Sequence, residues 1–204
     1  MTDETRAGLP VLAFASAAEW EGWLRAAPRT SKGIWLRLAK KDSGRTSVSR
    51  QEAIDGALCH GWIDGQLQPY DARYWLVRFT PRSAKSKWSK KNCLRAQELI
   101  DQGRMSAGGL EEVRRAKDDG RWEAAYPPQS GATVPEDLVA ALEKKPEAKR
   151  QFAQLDSANR YAILYRLHEA RNPEKRAAKV ATFVAMLARG ETLHPRKGEK
   201  RRAR

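Results

Sequence analysis

The sequence predicts an α+β fold: a small antiparallel sheet packed with helices in the N-terminal part, followed by an all-helical C-terminal unit. Three observations predict it. Strand-like alternation is confined to residues 33–80. From Ser86 onward every apolar pattern has helical spacing. Between the two sets of later helices, residues 121–133 carry Pro127-Pro128 and Ser130-Gly131, the composition of a linker. The expected units are therefore 8–125 and 134–190, with a basic, disordered tail at 191–204.

The elements follow in order. Trp20, Trp23, Leu24 and Ala27 recur at i, i+3, i+4 and i+7, one apolar stripe of a helix over 17–27 that opens on Ser16 and Glu19 and stops at Pro28. Ile34, Leu36 and Leu38 alternate with Trp35 and Arg37 in a strand over 33–39. A polar basic loop follows, 40–47, and then Ser49-Arg50-Gln51-Glu52, a capping box for a helix that Gly61 ends. Residues 62–68 and 73–80 read as the arms of a hairpin around Pro69-Tyr70-Asp71-Ala72, with Trp75, Val77 and Phe79 on one face of the second arm. Helices are expected over 87–102, 107–118, 136–144, 157–170 and 174–189, with a short turn near 147–154. Asn172-Pro173 is a cap followed by proline at the first helical position.

Composition narrows the function. The chain has 204 residues, a net charge of +14 and 31% charged residues. No run approaches the roughly 18 apolar residues of a membrane span. Leu9 to Ala17 is mildly apolar, but Pro10 breaks it and Asp3 and Glu4 precede it, so it is not read as a cleaved signal. Cys59 and Cys93 are then expected to stay reduced, which suits the cytoplasm. Two Cys and three His at these spacings predict no metal site. The absence of Gly-x-Gly-x-x-Gly after a strand and of a Walker-type loop predicts no nucleotide cofactor.

The clearest anomaly is charge. Residues 78–95 hold Arg78, Arg82, Lys85, Lys87, Lys90, Lys91 and Arg95 with no acidic residue, interleaved with Phe79 and Trp88. Residues 29–50 add seven more cations against Asp42. This is the pattern of an anion-binding face for nucleic acid, nucleotide or anionic lipid headgroups, and equally of a solvated basic surface. Within it Trp88 is the expected exposed stacking ring, and Ser86 and Ser89 are expected at a helix start. Asp64 has two readings: a general acid/base or anchor for a substrate cation, or a structural carboxylate paired with Arg78 or Arg82 or capping a nearby backbone donor. His60 reads as a helix-end histidine or as an imidazole oriented by Asp64. A small-molecule enzyme would draw on a pocket of His60, Asp64, Arg78, Arg82 and Asn92; the sequence leans towards a non-enzymatic protein instead.

Four strings together carry a family resemblance: Gly61-Trp62-Ile63-Asp64-Gly65, Arg78-Phe79-Thr80-Pro81-Arg82, Trp88-Ser89-Lys90-Lys91-Asn92 and Gly103-Arg104-Met105. Arg160-Tyr161 and Pro173-Glu174-Lys175-Arg176 agree with them. Over about residues 9–190 the chain resembles the YdeI/OmpD-associated family, also called bacteriocin-protection proteins. The resemblance implies a binding or stress-tolerance role, tolerance of bacteriocins or cationic peptides, and association with an outer-membrane porin. It implies no catalytic residues.

Overall fold

The computed structural model describes residues 4–195, in two compact units that divide between Ala125 and Tyr126. Each has its own core.

The first unit is built on a five-stranded sheet in the order β1-β2-β3-β5-β4: β1 Thr5–Arg6, β2 Leu9–Leu12, β3 Ile34–Ala39, β4 Trp62–Pro69 and β5 Tyr74–Pro81. The sheet is mixed rather than antiparallel, because β2 runs parallel to β3. The short first hairpin was not visible in the sequence. Two strands of two and four residues are too short to show alternation, although Leu9 and Val11 are buried while Pro10 faces out. The β4–β5 hairpin forms as expected, its turn held by Asp71, whose carboxylate accepts from the Arg73 and Tyr74 amides at 2.7 Å each.

Helices α1 (Ala17–Ala26) and α2 (Arg50–Cys59) cover one face of the sheet. Their starts are written in the sequence. Ser49 accepts from the Glu52 amide and Glu52 from the Ser49 amide, the full reciprocal cap. Trp20, Leu24, Ala53 and Ala57 from these helices meet Ile34, Leu36, Leu38, Val77 and Phe79 from the sheet. On the opposite face Trp35 and Leu76 pack with Leu9 and Val11.

Helices α3 (Lys90–Asp101) and α4 (Ala107–Asp118) pack with α2 around Leu58, Trp88, Leu99 and Val113. The approach of α4 to the end of α2 is close. A Cβ on Gly109 would lie 2.3 Å from the Cys59 carbonyl oxygen, and Ser106 donates to that same oxygen at 2.7 Å. Gly61, at φ +74°, turns the chain here, and its carbonyl accepts from the Arg82 amide at 2.9 Å. α3 begins three residues later than expected, because Ser89, not Ser86, caps it by accepting from the Asn92 amide.

The second unit holds α5 (Glu136–Glu143), α6 (Pro146–Ala153), α7 (Ser157–His168) and α8 (Pro173–Ala188) around Leu138, Phe152, Ile163, Leu167, Phe183 and Leu187. The expected disordered tail is corrected at its start. Buried Asn159 brackets His194, accepting from its amide at 2.8 Å and donating to its carbonyl at 3.2 Å, and Leu193 packs on the core. Residues 196–204, which carry six of the expected tail's basic residues, lie outside the described residues. Among the described residues no helix is long and apolar enough to cross a membrane.

Candidate anion-binding site

The loop from β3 to α2 makes a cleft of about 810 Å³ lined by residues 38–50 and Trp75. Its ends are tied down. The Ala39 amide donates to Ser47 Oγ at 2.9 Å and the Val48 amide to the Phe14 carbonyl at 2.9 Å. Lys40 donates through Nζ to the Asp71 carbonyl at 2.6 Å, fastening the loop to the hairpin turn. Leu38, Val48 and Trp75 supply apolar surface; Lys40, Lys41, Arg45 and Arg50 supply cations against the single carboxylate of Asp42.

Arg50 links this cleft to Asp64. Its guanidinium lies 5.7 Å from the Trp75 ring centroid and 3.8 Å from the Asp64 carboxylate. Asp64 sits opposite Phe79 in the β4–β5 register, beside a bulge. Its ion-pair partner is thus Arg50, in place of the Arg78 or Arg82 expected from the hairpin, because the edge strand turns this side chain towards the start of α2.

The other predicted site residues are dispersed, and two of the arginines among them, Arg82 and Arg95, have internal partners. Arg82 is buried, with its guanidinium 3.6 Å above the Trp88 ring and Nη1 donating to the Lys87 carbonyl at 3.2 Å. Burial pulls Arg82 down to about 10, opposed by the negative charge of Glu112, so it stays a cation at neutral pH. Trp88 is only 2% exposed and also packs on Trp122. The expectation of an exposed stacking ring is therefore corrected: Arg82 covers one face and the α3–α4 core holds the ring. Arg95 grips Asp55 with two bonds, of 2.9 and 2.5 Å, and bonds Glu98. Arg78 is half-buried, opposite Trp35 in the neighbouring strand. Asn92 is half-buried in the first turn of α3. Lys85, Lys90 and Lys91 remain exposed.

Both thiols and the histidine at the end of α2 are shielded from solvent to different degrees. Burial pushes both the Cys59 and the Cys93 thiol up to about 11. His60 is the residue after the last turn of α2, half-buried, and desolvation lowers its pKa, partly offset by Glu21. None of His60, Asp64 and Arg82 lines the cleft at 38–50, although the charge of Asp64 lies near enough to Arg82 to favour its protonated form.

The Asp55–Arg95 pair carries a pH prediction. Burial raises the Asp55 carboxyl, but hydrogen bonds from Arg95 and Gln51 outweigh it and hold it below its ordinary value of 3.8. A depressed carboxyl stabilises the fold above its unfolded pKa and loses that contribution as pH falls through the folded one. The melting temperature of the wild type is expected to fall as pH drops below about 4, more steeply than that of Asp55→Asn. Parallel melting curves for the two proteins from pH 5 to 2 would remove this pair from the account.

Residues 131–190, helices α5–α8, match the profile of a family described as bacteriocin-protection, YdeI or OmpD-associated. Residues 12–112, which include the cleft, match a domain of unknown function, DUF8412. No curated protein and no solved structure matches the chain. Of the strings that suggested the family, Arg160-Tyr161 and Pro173–Arg176 fall inside the first match, and the hairpin strings fall inside the second.

Proposed function

We propose that this chain, whose helical C-terminal unit matches the bacteriocin-protection, YdeI or OmpD-associated profile, is a non-enzymatic binding protein for anionic ligands that acts in the cytoplasm. One observation carries the reading: the loop cleft concentrates Lys40, Lys41, Arg45 and Arg50 around an open cavity with only Asp42 to offset them. Lys41 and Arg45 have no ion pair among the described residues, whereas Arg95 is held by Asp55 and Glu98. Lys85, Lys90 and Lys91 extend the exposed cationic surface at the start of α3.

Charge also limits how a protective role would work. A protein of net charge +14 repels cationic peptides, so it is a poor direct trap for them. Protection would act through an anionic cell component that both compete for. An association with a porin, named by the family, belongs to this proposal only as a further partner.

The test is retention on heparin and on duplex DNA across a salt series. With about three to five phosphate contacts, the log–log salt slope on duplex DNA is expected at about −2.7 to −4.5. Charge reversal at Lys85, Lys90 and Lys91 together should flatten it by about 2 to 3, since each lost contact removes about 0.9. A full-length protein that flows through both matrices at low salt would make its charge a matter of solubility alone.

A further inference from the structure

We propose that the β3–α2 cleft is a phosphoryl-binding site for a small phosphorylated molecule of about nucleotide size. The proposal rests on the anion-binding reading and narrows it to one site and one ligand class.

Four features of the loop converge on it. The first is unspent charge: Lys40 is bonded to the Asp71 carbonyl and Arg50 is shared between Trp75 and Asp64, leaving Lys41 and Arg45 for a ligand. The second is the backbone. Asp42 and Gly44 both take φ +64°, and the amides of Lys41, Asp42, Gly44, Arg45 and Thr46 have no acceptor among the described residues. Successive amides around left-handed residues form the concavities that hold phosphate oxygens. The asparagine-like tolerance of aspartate for this conformation lets a non-glycine occupy position 42. The third is Ser43, whose hydroxyl is shielded from solvent and has no hydrogen-bond partner. A phosphate oxygen at the loop would give it one. The fourth is the apolar surface of Leu38, Val48 and Trp75 in the same cavity.

The last feature sets the size of the ligand. A cavity of about 810 Å³ lies in the range of small-molecule pockets. Inorganic phosphate would leave its apolar surface wet. A long polyanion needs a basic surface and gains nothing from a cavity with a tryptophan wall. A phosphoryl group joined to a body that covers Trp75 uses both halves. The two sources of such a group, a nucleotide and a sugar phosphate, differ only in whether an aromatic ring meets Trp75.

The experiment is calorimetric titration of the full chain at low salt with ATP, glucose 6-phosphate and pyrophosphate, alongside heparin retention. ATP and pyrophosphate are expected to bind, ATP more tightly. The Lys41→Ala/Arg45→Ala double variant should weaken both by at least about tenfold, the worth of one or more charge-assisted hydrogen bonds. Trp75→Leu should weaken ATP severalfold and leave pyrophosphate within about twofold, which separates ring contact from phosphoryl contact. Because Trp75 also touches the core, pyrophosphate binding serves as the fold control for that variant. Glucose 6-phosphate binding more tightly than ATP supports the phosphoryl site and assigns the sugar source; ATP binding more tightly assigns the nucleotide. Absence of binding by all three probes, with heparin retention intact, overturns the cleft proposal and leaves the broader anion-binding reading standing. ATP affinity unchanged in the double variant overturns it too. Failure of the unmodified chain both to hold heparin and to bind any of the three probes removes both.

Discussion

Glu112→Ala is expected to destabilise the N-terminal unit by about 3–5 kcal/mol, the cost of breaking a buried ion pair from one side. Glu112 has 0% exposure, and a single carboxylate oxygen receives Arg29 at 2.5 Å and Arg115 at 3.0 Å. Those two arginines are partly exposed and can turn to water when the carboxylate is lost. Arg82 cannot. It is enclosed on Trp88, and the charge of Glu112 is the largest influence keeping it protonated against burial. The cost therefore falls mainly on Arg82, left as a buried cation without its counter-charge. Glu112→Gln keeps the shape and one acceptor, so it should fall between wild type and alanine. The measurement is urea unfolding followed by tryptophan fluorescence. All seven tryptophans lie at or before residue 122, so the signal reports on the first unit alone, which matters in a chain with two compact units. A loss under about 1 kcal/mol would mean that the arginines solvate themselves and that Glu112 is dispensable.

The same network shows where sequence reasoning stops. The helices were legible because their start signals are local: Ser49 with Glu52, and Asn172 before Pro173, fix α2 and α8 within one turn of chain. The hairpin was legible because alternation in 74–80 and the Asp71 turn are local too. Trp88 was misread because its neighbours, Lys87, Lys90 and Lys91, suggest an exposed string, whereas its burial depends on Arg82 and on Trp122 from beyond α4. Glu112 gave no signal at all. It occupies a polar position of an amphipathic helix, and only the close approach of α4 to the end of α2 turns it inward. The basic loop was visible as a count of charges over 29–50. Its concavity was not, because the cavity needs Trp75 from a strand that is distant in sequence. Charge density can be read along a chain; which charges are spent on internal partners cannot. That distinction adds 38–50 as a second cationic face beside 78–95, where Arg95 is held by Asp55 while Lys85, Lys90 and Lys91 stay exposed.

Trp20→Ala is expected to cost about 3–5 kcal/mol, at the top of the range for core truncations. Trp20 has no exposed surface and joins three elements. Its ring stacks on Trp23 at 5.5 Å, meets Phe14 at 5.3 Å and meets the edge of Phe79 at 5.4 Å, tying α1 to the sheet. Its Nε1 donates to the Ala53 carbonyl at 3.0 Å, tying α1 to α2. Trp20→Phe keeps an aromatic body and loses the donor, so about 1–2 kcal/mol is expected from the hydrogen bond and the reduced volume. Gly56 tests whether the contact is tight. A Cβ there would lie 3.0 Å from both Cδ1 and Nε1 of Trp20, so the usual gain from Gly→Ala inside a helix is opposed by a clash. Gly56→Ala should therefore destabilise the wild type and become neutral or stabilising once Trp20→Phe removes the five-membered ring. A double-mutant cycle in urea should return a coupling of at least about 0.5 kcal/mol, as expected for residues in contact. Additive effects would mean that the indole can shift aside at no cost, and that α1 is held to α2 by general apolar burial instead of by this ring.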